Sequence, residues 1–99
     1  MDLKNKTVMV VGTGISGIGA VDLLNKVGAD CILYDGNEKL DRQKLQEKLG
    51  DNKAEIIIGA FDESLLPKID LLVISPGVPI DSPIVLTFKN AGILSLIHI

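Results

Sequence analysis

The apolar residues of this chain fall into short solid runs, and the stretches between them carry helical spacing. Val8-Met9-Val10-Val11, Cys31-Ile32-Leu33-Tyr34, Ile56-Ile57-Ile58 and Leu71-Leu72-Val73-Ile74 are apolar at every position. Such runs read as strands covered on both faces, the habit of a parallel sheet. The first strand is expected over Thr7 to Val11. From Ile15 to Val27 the pattern changes period: Ala20, Leu23, Leu24 and Val27 share one helical face, and Asp22, Asn25 and Lys26 take the other. Gly28 stands where a C′ glycine ends a helix. A second strand, Asp30 to Tyr34, is closed by the turn signal Asp35-Gly36-Asn37.

From Glu38 to Leu49 charges are dense and the apolar stripe is thin: Leu40, Leu45, Leu49. This predicts a surface helix that ends at Gly50, aided by a Glu38–Arg42 pair at i, i+4. Ala54 to Ile58 predicts a third strand. Asp62 is expected to cap a single helical turn through Leu66, cut off by Pro67. A fourth strand, Asp70 to Ile74, leads into the rigid loop Ser75 to Pro79. Ser82 as N-cap and Pro83 at N1 open a helix to Asn90. Gly92 ends it, and Ile93 to Ile97 predicts a fifth strand. Strands alternating with helices over short connections specify an α/β fold: a doubly wound five-stranded parallel sheet, order 3-2-1-4-5, with helices on both faces. One domain over residues 1–99 is expected, without repeats or low-complexity segments.

Composition narrows the function classes. With 46% hydrophobic residues and three aromatics among 99 residues, the core has to be built from Ile, Leu and Val. The net charge is −3 and the charges are interspersed, so nucleic acid is not an expected partner. One cysteine, Cys31, cannot close an intramolecular disulfide and points to a reducing compartment. Met1 to Lys6 is polar, unlike a signal segment, and no apolar run is long enough to cross a bilayer. A cytoplasmic location is expected.

The candidate chemistry sits at the end of the first strand, in Gly12-Thr13-Gly14-Ile15-Ser16-Gly17. Gly12 permits a tight turn, Gly14 lets phosphates approach the backbone, and Gly17 lets the helix lie close to the strands. The helix start offers free N–H groups and the positive end of its dipole to an anion. Asp35 follows Gly17 by 18 positions, at the end of the next strand. It can accept hydrogen bonds from a ribose hydroxyl or a base edge, and it can equally start the turn with Gly36. Ser75-Pro76-Gly77 ends the fourth strand, which lies beside the first across the switch point; these residues fit a ligand loop and an ordinary Pro-Gly turn alike. No reaction centre accompanies these groups. Cys31 lies inside a strand, His98 has no partner by sequence, and Asp62, Glu63 and Asp81 fit caps. No metal-ligand cluster, nucleophile elbow or Walker-type lysine loop is present.

The Gly12-Thr13-Gly14-Ile15-Ser16-Gly17 run with Ala20 and Leu24, Asp35, Ser75-Pro76-Gly77-Val78 and Ala91-Gly92-Ile93 together resemble the N-terminal part of the D-glutamate-adding Mur ligases. The likeness covers Lys4 to Ile93. It implies a Rossmann-like domain that holds the uridine diphosphate of UDP-N-acetylmuramoyl-L-alanine. Gly14, Ile15, Ser16 and Gly17 would meet the diphosphate. Asp35, Gly36 and Asn37 would line the uracil-ribose pocket, and Ser75, Pro76 and Gly77 would close its other side. It also implies ATP and Mg2+ in a central domain and D-glutamate in a last domain, both beyond this chain. The chain alone is then expected to need no cofactor, to be inactive, and to bind UDP only in the roughly micromolar to millimolar range. Residues 94–99 depart from the family pattern and read as a non-native tail. The rival readings are a nicotinamide- or flavin-dinucleotide domain of an oxidoreductase and a nucleotide-sensing regulatory domain.

Overall fold

A computed structural model of the chain describes residues 3–79, 81–92 and 96–98. The elements run β1 (Thr7–Val11), α1 (Ile15–Lys26), β2 (Asp30–Asp35), α2 (Arg42–Leu49), β3 (Glu55–Ile58), a 3-10 helix (Glu63–Lys68), β4 (Leu71–Ile74), α3 (Pro83–Asn90) and β5 (Leu96–His98). The strands β3-β2-β1-β4 lie side by side in that order, all parallel, and β5 pairs with the outer side of β4. The register sets Val11 level with Tyr34 and Ile74, so three strand ends form one edge. The expected fifth strand began at Ile93; residues 93–95 lie outside the described residues, and the paired stretch is Leu96–His98. Of the expected tail, positions 94, 95 and 99 also lie outside them.

Alternation along the strands divides the core in two. Val8, Val10, Leu33, Leu71 and Val73 face one side, where Val21 and Leu24 of α1 and Leu45 and Leu49 of α2 cover them. Met9, Val11, Tyr34, Leu72 and Ile74 face the other, under Val85 and Phe88 of α3. Burying each of these side chains contributes on the order of 1.5–3 kcal/mol. The three aromatics gather on this second side: Phe61 meets Tyr34 edge-on at 5.8 Å and Phe88 at 5.4 Å.

Three local expectations need correction. The helix expected from Glu38 starts at Arg42, because the Asp41 side chain caps it by accepting from the Gln43 N–H at 2.9 Å. Consequently the Glu38–Arg42 pair does not form. Arg42 donates to the Ile56 carbonyl instead, and Glu38 packs against Gly59. The turn after Asp62 does not stop at Leu66. It continues as a 3-10 helix to Lys68 with Pro67 inside, since a short 3-10 segment asks for few backbone donors. Ser82 and Pro83 open α3 as expected, yet the Ser82 hydroxyl makes no cap bond.

Candidate functional site: a crevice at the strand ends

β1 ends at Val11, and Gly12 takes φ +105°, a backbone state that only glycine enters freely. The turn is tightened from two sides. A Cβ on Gly12 would lie 2.8 Å from the Ser75 side chain, and one on Gly17 would collide with the Gly12 carbonyl oxygen. Only hydrogen fits at either place. Gly14 is the N-cap of α1, with no side-chain cap and no acidic residue in the first turn. A Cβ there would meet open space, so no side chain stands over the start of α1 at this position, where the first N–H groups of a helix lack intrahelical partners.

Asp35 ties the ends of β1 and β2 together. Its Oδ2 accepts from the Thr13 hydroxyl at 2.9 Å, and its Oδ1 accepts from the Asn37 N–H at 3.0 Å. The residue is therefore a turn former, as one alternative of the sequence reading had it, and it also borders the cavities at this edge. Behind it, the Tyr34 hydroxyl donates to the Gly59 carbonyl at 2.6 Å. Burial first, and the Asp35 charge second, push the Tyr34 hydroxyl above its ordinary value, so it stays a donor. Two hydroxyls on the opposite wall, those of Ser75 and Ser82, are buried and find no hydrogen-bond partner among the described residues.

Two adjoining cavities occupy this edge. One of about 450 Å³ runs along the glycine turn, between Gly14, Ile15 and Ser16 on one side and Ser75 and Pro76 on the other. The second, about 300 Å³, lies over Tyr34, Gly36 and Asn37 and is closed by Pro79 and Ser82. Gly12, Asp35, Gly77 and Val78 border both. Of the ten residues expected at the site, nine line this crevice. Gly17 borders neither cavity, because its place is under the turn, where its missing side chain lets α1 approach. Thr13, Val78, Pro79 and Ser82 were not expected. Thr13 had a signal in the chain: a hydroxyl between two glycines, at the end of a strand that neighbours the Asp35 strand.

Residues 6–96 match the family model of the Mur ligase MurD-like N-terminal domain. The chain belongs to this family. Among similar proteins, the UDP-N-acetylmuramoylalanine--D-glutamate ligase of Lachnospira eligens is 97% identical over 93 residues, which is 94% of this chain and 21% of that protein. The enzyme of the same name from Lachnoclostridium phytofermentans is 44% identical over 94 residues, again 94% of this chain and 21% of that protein. The chain thus spans about a fifth of the length of the curated relatives it matches. Among solved structures, the shikimate dehydrogenase of Aquifex aeolicus is similar with a TM-score of 0.63 and 18% identity, over 98% of this chain and 43% of that one. D-2-hydroxyisocaproate dehydrogenase is similar with a TM-score of 0.56 and 26% identity, over 90% of this chain and 24% of that one. The shikimate dehydrogenase likeness is one of fold. The MurD-like match rests on sequence along nearly the whole chain. No described helix is long and apolar enough to cross a membrane.

Proposed function

We propose that this chain is the UDP-binding N-terminal domain of an ATP-dependent D-glutamate-adding ligase of peptidoglycan synthesis. The observation that supports it most is the convergence of the glycine turn, Asp35-Gly36-Asn37 and Ser75-Pro76-Gly77 on one continuous crevice. The part along the turn suits a diphosphate: backbone N–H groups, a helix N-terminus and no side chain at Gly14. The part over Tyr34 is mostly apolar with Asp35 and Asn37 at its edge, which suits a pyrimidine and its ribose. In this reading the doubly wound sheet, closed by β5 in the order 3-2-1-4-5, is the scaffold of the substrate's nucleotide end.

The rest of the reaction belongs to the parent protein. There the carboxyl group of UDP-N-acetylmuramoyl-L-alanine is activated by ATP and joined to the amine of D-glutamate in the cytoplasm. Among the described residues no group of three His, Cys, Asp or Glu side chains could hold a metal ion, and the glycine turn carries no lysine of its own. These residues do not fit ATP with Mg2+. In this reading the role of this domain is to bind and orient the nucleotide end of the substrate.

Amide NMR of the labelled chain, titrated with UDP and separately with NAD, tests the proposal. Shifts with UDP confined to Gly12–Gly17, Asp35–Asn37 and Ser75–Gly77 are expected. Shifts with NAD alone would move the crevice to dinucleotide chemistry, the use made of this fold by dehydrogenases.

A further inference from the structure

The crevice is short of positive charge. Among the described residues lining its two cavities, Asp35 and Tyr34 are the ionisable side chains, and neither is a cation. A diphosphate on the glycine turn would meet about half a positive charge from the α1 dipole, with the Asp35 carboxylate close by. That balance is poor for a ligand carrying two or three negative charges. The buried Ser75 hydroxyl beside Gly12 and Gly17, unpartnered among the described residues, independently gives the turn a hydrogen-bonding group for a polar ligand.

A separate cavity of about 300 Å³ opens on the outer side of the same turn, lined by Thr13, Gly14, Ile15, Ile18 and Lys48. Lys48 lies in the last turn of α2 and is exposed. Among the described residues it makes no ion pair or side-chain hydrogen bond. Its backbone is nonetheless held in place. Leu45 and Leu49 on either side of it are 2% exposed and join the core cluster against which Ile18 of α1 packs. A lysine stem is long and flexible, and its ammonium is a compact charge suited to phosphate.

We infer that Lys48 is an anion-recognising residue of this site, folding its ammonium over the glycine turn onto the ligand's diphosphate. This rests on the reading of the crevice as a nucleoside diphosphate site. It also assigns α2 a function: the element that the sequence presents as a solvated surface helix carries the site's cation. Lys48 contributes to affinity for the charged part of the ligand and not to recognition of the base.

The test compares UDP with uridine on the wild-type chain, K48Q and K48R, by amide NMR titration at low ionic strength. In K48Q the Kd for UDP is expected to rise about 3–10-fold while that for uridine is unchanged, and K48R is expected to retain most of the UDP affinity. Added salt should narrow the difference between wild type and K48Q, because an exposed charge is screened. Equal UDP affinity in wild type and K48Q would overturn the inference, and so would an equal loss for UDP and uridine. A lower melting temperature of ligand-free K48Q with no change in UDP affinity would make Lys48 a helix-end residue only. If UDP left Gly12–Gly17 unmoved in the wild-type chain, the diphosphate reading of the crevice would fall first and Lys48 with it.

Discussion

Asp35 joins two loops with its carboxylate and borders both cavities of the crevice. Replacing it with alanine releases the Thr13 hydroxyl and the Asn37 N–H. The Asn37 N–H is exposed, but Thr13 is buried, so the expected stability loss is about 1–3 kcal/mol. The expected loss of UDP affinity is about tenfold or more, because the ligand loses a charged acceptor and the turn loses its tie. Urea unfolding alongside UDP titration separates the two; a large stability loss with affinity intact would make Asp35 a purely structural residue. Gly17 behaves in the opposite way. Gly17→Ala drives a methyl group into the Gly12 carbonyl, and a loss of about 2 kcal/mol or more is expected in the same unfolding assay.

At the scale of elements, the two helix starts with side-chain candidates differ in a way that mutation can read. The Asp41 carboxylate caps α2, whereas the Ser82 hydroxyl stands at the N-cap of α3 without bonding to it. Asp41→Ala should therefore cost about 1 kcal/mol, while Ser82→Ala should leave thermal stability nearly unchanged. Equal losses would mean that Ser82 caps α3 in solution. The 3-10 helix carries a pH dependence. The Ser64 side chain and N–H, both hydrogen-bonding to Asp62, hold its carboxyl below the usual 3.8. A carboxyl depressed in the folded state stabilises fully above that value and loses the effect as pH falls through the depressed one. The protection of the Ser64 and Leu65 amides, relative to their intrinsic exchange at each pH, should fall in acid below that range, and Asp62→Asn should flatten the dependence.

Taken whole, the molecule carries its own opening probe. Cys31 is 8% exposed within β2, and burial pushes its thiol above its ordinary value, with the Asn25 side chain opposing. Labelling by a thiol reagent is expected to require opening of the sheet. A ligand that binds only the folded chain lowers the open population, so UDP at ten times its Kd should slow labelling by about tenfold. Labelling at the rate of an exposed thiol, indifferent to UDP, would mean that β2 opens locally. The two-sided core makes the cooperative outcome the expected one, since β1 and β2 contribute to both clusters.

The sequence by itself determined the first four strands, their alternation with helices and nine of the residues that line the crevice. The physical reason is that these features are local. A solid apolar run of four or five residues has few alternatives to a buried strand. A glycine turn between strand and helix, with an acid at the next strand end, fits the carboxyl edge of a parallel sheet and few other places. What only the tertiary structure decided depends on groups distant in the chain meeting one another. Asp41 displaced the expected helix start once Arg42 had Ile56 to reach and Glu38 had Gly59 to pack on. Gly17 went beneath the turn because the Gly12 carbonyl occupies the space beside it. Thr13 found Asp35 across 22 residues, and Lys48 came to the glycine turn because two leucines bury α2 against the sheet beside α1. No spacing rule reports such meetings, because strand order and helix packing create them together.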